Sequence, residues 1–115
     1  MTEAAATACT AAAHCLGHAR HVLDLEIEAI RRTRETLGGA FEQAIAMMLE
    51  TIARPAKIVV SGVGKNLSIA EKISATLAST GSTSVVLNPV QAMHGDLGIL
   101  APGDVLLALS FSGES

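Results

Sequence analysis

Three short apolar runs constrain this chain most: "KIVVSG" at 57–62, "TSVVLN" at 83–88 and "VLLALS" at 105–110. Each is aliphatic or β-branched, too short for a packed helix, and closed by glycine, asparagine–proline or serine. They predict strands, the first at 57–61. Between the first two lies "KNLSIAEKISATLAST", which sets Leu67, Ile69, Ala70, Ile73, Leu77 and Ala78 on one helical face before Gly81 stops it. Strands joined by a crossover helix run parallel, with a right-handed connection. In such sheets ligands gather at the carboxyl ends of the strands.

Upstream the period is helical. From His14, the apolar positions Leu16, Val22, Leu23, Leu25, Ile27 and Ile30 alternate with charged ones, and Glu28 and Arg32 form a supporting i,i+4 pair. Arg31 and Glu35 form the reverse pair. Gly38-Gly39 interrupts this pattern. A second helix presents Phe41, Ile45, Met48, Leu49 and Ile52 on one face and stops at Arg54-Pro55. Residues 1–13 are Ala-rich and expected to be a flexible N-terminus; one domain is expected over 14–115. The fold class is α/β, with two N-terminal helices ahead of a parallel sheet. "PVQAMHGDLGIL" reads as a short helix or turn and then a loop.

Composition narrows the function classes. The chain has 115 residues, half of them hydrophobic and only 2% aromatic, so Ala, Leu, Ile and Val must build the core. The net charge is -3 with no basic patch, which argues against nucleic acid as a partner. Arg31, Arg32 and Arg34 read as a solvated helix face. No apolar run approaches the roughly 18 residues of a membrane span. The N-terminus carries Glu3 and no basic n-region, so no signal peptide is expected. Cys9 and Cys15 do not form a disulfide framework, and a reducing cytoplasm is the default location. His14, His18 and His21 share a helix face with no carboxylate to complete a metal set, so no metal or cofactor is expected.

The loops carry the chemistry. "VVSGVGKN" (59–66) is not a Walker A loop: that motif needs G-x-x-x-x-G-K-[ST], and Val59 and Asn66 stand at its first glycine and its hydroxyl. Nor is it a dinucleotide fingerprint, since Leu67 replaces the third glycine. What remains is a tight turn through Gly62 and Gly64 and a helix N-terminus near Asn66, with Lys65 at its mouth. Unpaired N–H groups and the helix dipole favour an anion there. Taken alone, the loop fits an ordinary β–α turn with an exposed lysine equally well. "SFSGES" (110–115) supplies Ser110, Ser112 and Ser115 around Gly113, a loop suited to wrapping phosphate, although polar turns are common. Two anion-suited loops at strand ends favour a phosphate site. His94, in "AMHGDLG", is the side chain best matched to proton transfer near neutral pH. A lone loop histidine is more often structural, and a nearby Asp96 makes no dyad by proximity in sequence.

Together, "VVSGVGKN", "KISATLASTGSTSVVLNPVQAMHGDLG" and "GDVLLALSFSGES" resemble the sugar isomerase (SIS) domain, most of all its arabinose-5-phosphate isomerase branch of the KpsF/GutQ type. The resemblance runs from about His14 to Ser115. It implies a three-layer αβα fold that binds phosphosugars. It also implies interconversion of ribulose 5-phosphate and arabinose 5-phosphate, without a cofactor, in a cytoplasmic homo-oligomer. By the same resemblance Ser110, Ser112, Gly113, Glu114 and Ser115 hold the phosphate with Gly64, Lys65 and Asn66, while Lys65 and His94 serve catalysis. Aldose–ketose exchange moves a proton between neighbouring carbons through an enediol. It needs a base, a proton donor and fixed charge beside the oxyanion.

Two departures stand out. Asn66 occupies a position where many members carry a small hydroxyl residue, although its amide can still donate to a phosphate. The family also continues past "SGES" with a further acidic site residue and more strands, often followed by a pair of CBS domains. The expectation is therefore a partial SIS domain over 14–115, with little or no turnover from this chain alone. The alternative is a non-catalytic phosphosugar-binding or regulatory module; "HGDLG" with Lys65 favours the isomerase branch.

Overall fold

The structure is a computed structural model that describes the backbone of residues 3–113 and the side chains of 14–113. The chain divides into two compact units after Ala40.

In the second unit, three parallel strands form one sheet. β1 (Ile58–Gly62) lies in the centre, between β2 (Ser84–Leu87) and β3 (Val105–Leu109). Ile58 is level with Ser84 and Val105, and Ser61 with Leu87 and Ala108. Every β1 residue is buried, whereas β3 alternates between half-buried and exposed. This is the difference between a strand paired on both sides and one at the sheet edge. The predicted parallel α/β order is present.

Because side chains alternate along a strand, the sheet has two separate apolar faces. On one, Ile58 and Val60 pack with Ala70, Ile73 and Leu77 of α3 (Lys65–Ser79), and with Met48 and Ile52 of α2 (Gly39–Ile52). On the other, Val59 packs with Val85, Leu87 and Ala92, the last on the short α4 (Pro89–Ala92). Asn88 ends β2 and caps α4 by accepting the Val90 N–H at 3.0 Å, with Pro89 at the first helical position.

The helical faces are narrower than the hydrophobic pattern predicts. On α3, Ile69 and Ala78 are exposed. The buried stripe instead runs through Ala70 and Ser74, and Ser74 is buried because its hydroxyl accepts the Ser84 hydroxyl at 2.9 Å. Apolar character alone cannot reveal a buried serine with a partner. On α2, likewise, Phe41, Ile45 and Leu49 are exposed.

At the amino end of the sheet, a charged clip joins β1 to β3. Asp104 accepts the Lys57 N–H at 3.0 Å, the Lys57 ammonium at 2.6 Å and the Ala101 N–H at 2.8 Å. The Lys57 hydrogen bond, ahead of a smaller opposing effect of burial, holds the Asp104 carboxyl below its ordinary range.

The first unit is built on α1 (Glu3–Thr36), whose backbone is helical from upstream of His14. The expectation of a flexible stretch over 1–13 concerns residues whose side chains lie outside the described ones, as does that of Cys9. Arg32 donates to Glu28 at 3.0 Å as predicted, while Arg31 approaches Glu28 at 4.0 Å rather than Glu35. Cys15 is a free, exposed thiol. Among the described residues no helix is long and apolar enough to cross a membrane, and no group of three His, Cys, Asp or Glu residues is placed to hold a metal.

Candidate functional site

The strand order decides which loops meet. β1 and β3 are neighbours, so the turn after Gly62 and the turn after Leu109 lie side by side at the carboxyl end of the sheet. A cleft of about 400 Å³ opens there, lined by Ser61, Gly62, Val63, Asn66, Pro89, Ala108, Leu109 and Phe111. Its size falls in the range of about 300–1,000 Å³ usual for small-ligand pockets.

Two glycines shape the first turn. Gly64 adopts φ 60° and ψ −125° at the N-cap of α3, a conformation that a side chain would strain. Gly62 is needed for closeness: a Cβ there would lie 2.8 Å from Asn66 Cβ and 3.0 Å from the Asn66 carbonyl carbon and oxygen. Only glycine lets α3 start so close to the end of β1. The helix begins at Lys65, and the Lys65 side chain is exposed. Among the described residues it makes no ion pair.

The helix N-terminus differs from the expected row of open N–H groups. The Asn66 N–H donates to the Val63 carbonyl at 3.2 Å, and the Leu67 N–H to the Gly64 carbonyl at 3.1 Å. A tight turn satisfies its own donors this way. The Asn66 side chain reaches across the cleft, and its amide donates to the Leu109 carbonyl at 3.3 Å. In the second turn the Ser110 hydroxyl accepts the Gly113 N–H at 2.8 Å and bends the chain back over Ser112. Glu114 and Ser115 lie outside the described residues.

Gly64, Lys65, Asn66, Ser110, Ser112 and Gly113 thus occupy two adjoining turns. His94 is placed differently. It sits in the exposed turn after α4, its N–H bonded to the Gln91 carbonyl at 2.9 Å. Its neighbours Gly95 and Asp96 line a second cleft, of about 350 Å³, together with Asn88 after β2 and Gln91 of α4. The start of α4 separates the clefts, with Asn88 facing one and Pro89 the other.

Four features were not singled out from the sequence: the buried Ser61 hydroxyl donating to the Leu87 carbonyl at 2.8 Å, the close approach at Gly62, and Pro89 and Phe111 in the cleft wall. The Gly62-x-Gly64 doublet signalled a tight turn. Nothing in it showed which glycine faces a neighbouring backbone.

A parallel sheet with two loops meeting at its carboxyl end is the architecture of an α/β domain, the class in which ligands gather at the carboxyl ends of the strands. Residues 51–115 match the SIS domain family, and the chain belongs to it. An arabinose 5-phosphate isomerase GutQ of Escherichia coli (strain K12) is 43% identical over 98 residues, which cover 85% of this chain and 30% of the relative. An arabinose 5-phosphate isomerase KdsD of Francisella tularensis is 35% identical, covering 87% and 31%. The solved structure of an E. coli CFT073 protein in complex with A5P superposes with a TM-score of 0.79 at 34% identity, over 87% of this chain and 52% of that one. The chain spans about a third of the length of the curated relatives it matches.

Proposed function

We propose that the cleft between the β1 and β3 turns holds the phosphate of a phosphosugar, and that residues 14–115 belong to a sugar-phosphate isomerase interconverting ribulose 5-phosphate and arabinose 5-phosphate. One observation carries the reading: the lysine turn and the serine turn, far apart in sequence, are bonded to each other through Asn66 and the Leu109 carbonyl. The names of the relatives and the A5P-bound neighbour supply the substrate class.

In this reading Lys65, with Gly64 and Asn66, faces the phosphate from one side. Ser110, Ser112 and Gly113 face it from the other, and Glu114 and Ser115 belong to the same proposed phosphate set. The Lys65 ammonium supplies fixed positive charge beside the enediolate, and His94 assists ring opening or proton transfer. The isomerase also needs a general base; the one carboxylate in this set, Glu114, is assigned to the phosphate loop. We extend the reading to a cytoplasmic homo-oligomer. Leu25, Ile27 and Ile30 are exposed on α1, apolar surface of the kind a subunit contact covers. Light scattering on the purified protein tests this, and a monomer at all concentrations removes it.

Calorimetric titration with arabinose 5-phosphate tests the site. Binding is expected, and Ser112→Ala should weaken it roughly threefold to tenfold, the effect of one hydrogen bond. No binding by the unaltered protein overturns the reading. A parallel assay for conversion of ribulose 5-phosphate separates the two classes: saturable binding with no conversion under any condition makes the protein a phosphosugar-binding module.

A further inference from the structure

We infer that Asn66 is a positioning residue: its side-chain amide ties the end of β3 to the start of α3 and so sets the spacing of the two turns. The inference deepens the proposed function and rests on it for the ligand, though not for the tie itself.

Three observations converge. The Asn66 amide donates to the carbonyl of Leu109, the last residue of β3. The next residue, Ser110, anchors the second turn by accepting the Gly113 N–H. A fixed Leu109 carbonyl therefore fixes where the serine turn begins. On the other side Asn66 sits close against Gly62, where an added Cβ would lie only 2.8–3.0 Å from the Asn66 Cβ and carbonyl. Its own N–H is also bonded to the Val63 carbonyl. The residue is half-buried, so its tie is partly shielded from competing water.

Asn66 combines a short stem, which keeps the two backbones close, with a donor that reaches beyond it. A serine or threonine hydroxyl sits one bond closer to the backbone and does not span the same gap from the same place. A carbonyl accepts and never donates, so the partner must be a donor; aspartate has the right shape and the wrong chemistry. With one amide proton on Leu109, the other proton and the amide oxygen remain for the cleft that Asn66 lines.

The test pairs hydrogen exchange with binding, in wild type, Asn66→Ala and the isosteric Asn66→Asp. Exchange at Ser112 and Gly113 should rise several-fold in the free variants, with Val59 and Val60 unchanged. Arabinose 5-phosphate should bind about fivefold to tenfold more weakly to Asn66→Ala, with the melting temperature moved little. Unchanged exchange at 110–113 in both variants overturns the tie, even if binding falls, because Asn66 would then act by direct contact. Faster exchange with undiminished binding overturns its positioning role. If the wild type fails to bind arabinose 5-phosphate, the phosphosugar reading fails, and the exchange comparison still decides the tie. Should Asn66→Ala not fold, Asn66→Asp gives the same exchange comparison.

Discussion

Each end of the central strand carries a lysine, and the two are used in opposite ways. Lys57, just before β1, is half-buried, and its ammonium lies 2.6 Å from Asp104 in a clip that also satisfies two backbone N–H groups. Lys65, just after β1, is exposed at a helix N-terminus with no ion pair among the described residues. The amino end of the sheet is complete within itself. The carboxyl end has a cleft, two turns and a cation facing outward. One residue type is thus paired at one end and left exposed at the other, where the proposed function gives it a ligand, and the difference is whether an acid stands within reach. A paired, part-buried charge cannot be removed without stranding its partner, whereas an exposed one can.

The comparison breaks most sharply on the two lysines. Lys65→Ala should weaken arabinose 5-phosphate binding roughly tenfold to a hundredfold, the loss of a charged hydrogen bond, with thermal stability little altered. Lys57→Ala should do the reverse, lowering the melting temperature while leaving affinity within about twofold, since the clip lies at the other end of the strand. Calorimetry and thermal melts on both variants read this. Equal losses of affinity in the two would erase the distinction between the ends.

Gly62→Ala comes next and couples the ends through the strand. The added methyl meets Asn66 backbone atoms at 3.0 Å, and backbone cannot swing aside as the tip of a side chain can. Overpacking of this kind costs about 1–3 kcal/mol, and here α3 must move away from β1. Denaturant unfolding should show that loss, and affinity should fall with it because Lys65 and Asn66 move too. Unaltered affinity in a destabilised Gly62→Ala protein would show that the turn geometry is not what the ligand reads.

The parallel sheet and the crossover helix were legible in the sequence because each rests on a local pattern. The runs at 57–62, 83–88 and 105–110 announce themselves by length and β-branching. The loops were legible as turns at strand ends. Their contact was not, because it depends on β3 joining the β1 edge rather than the β2 edge, a choice made by packing over the whole sheet. Asn66 shows the limit well. Its position at a helix start pointed to a ligand donor, and the structure turns its amide to a strand carbonyl 43 residues away in sequence. The Asp104 clip lies within the "APGD" turn, whose residue types announce a turn and say nothing of Lys57. A long-range partner leaves no trace in local composition.

Acidification should separate the two ends by their pH windows, with the smallest effect at the clip. The folded Asp104 carboxyl lies below its unfolded value, which is near 4 for aspartate. Its contribution is therefore present in full above about pH 4 and is lost as pH falls through the folded value. The phosphate of a phosphosugar, by contrast, takes up its second proton near pH 6, so affinity at the Lys65 end should decline first. Asp104→Asn keeps one acceptor oxygen, enough for one of the two backbone N–H groups, and never carries the charge. Compared by urea unfolding, wild type should exceed Asp104→Asn by a constant margin from pH 7 down to about 5, and the margin should close toward pH 3. A margin that persists undiminished at pH 3 would mean that the clip works through shape and neutral hydrogen bonds alone, and the two lysines would then differ in exposure without differing in electrostatics.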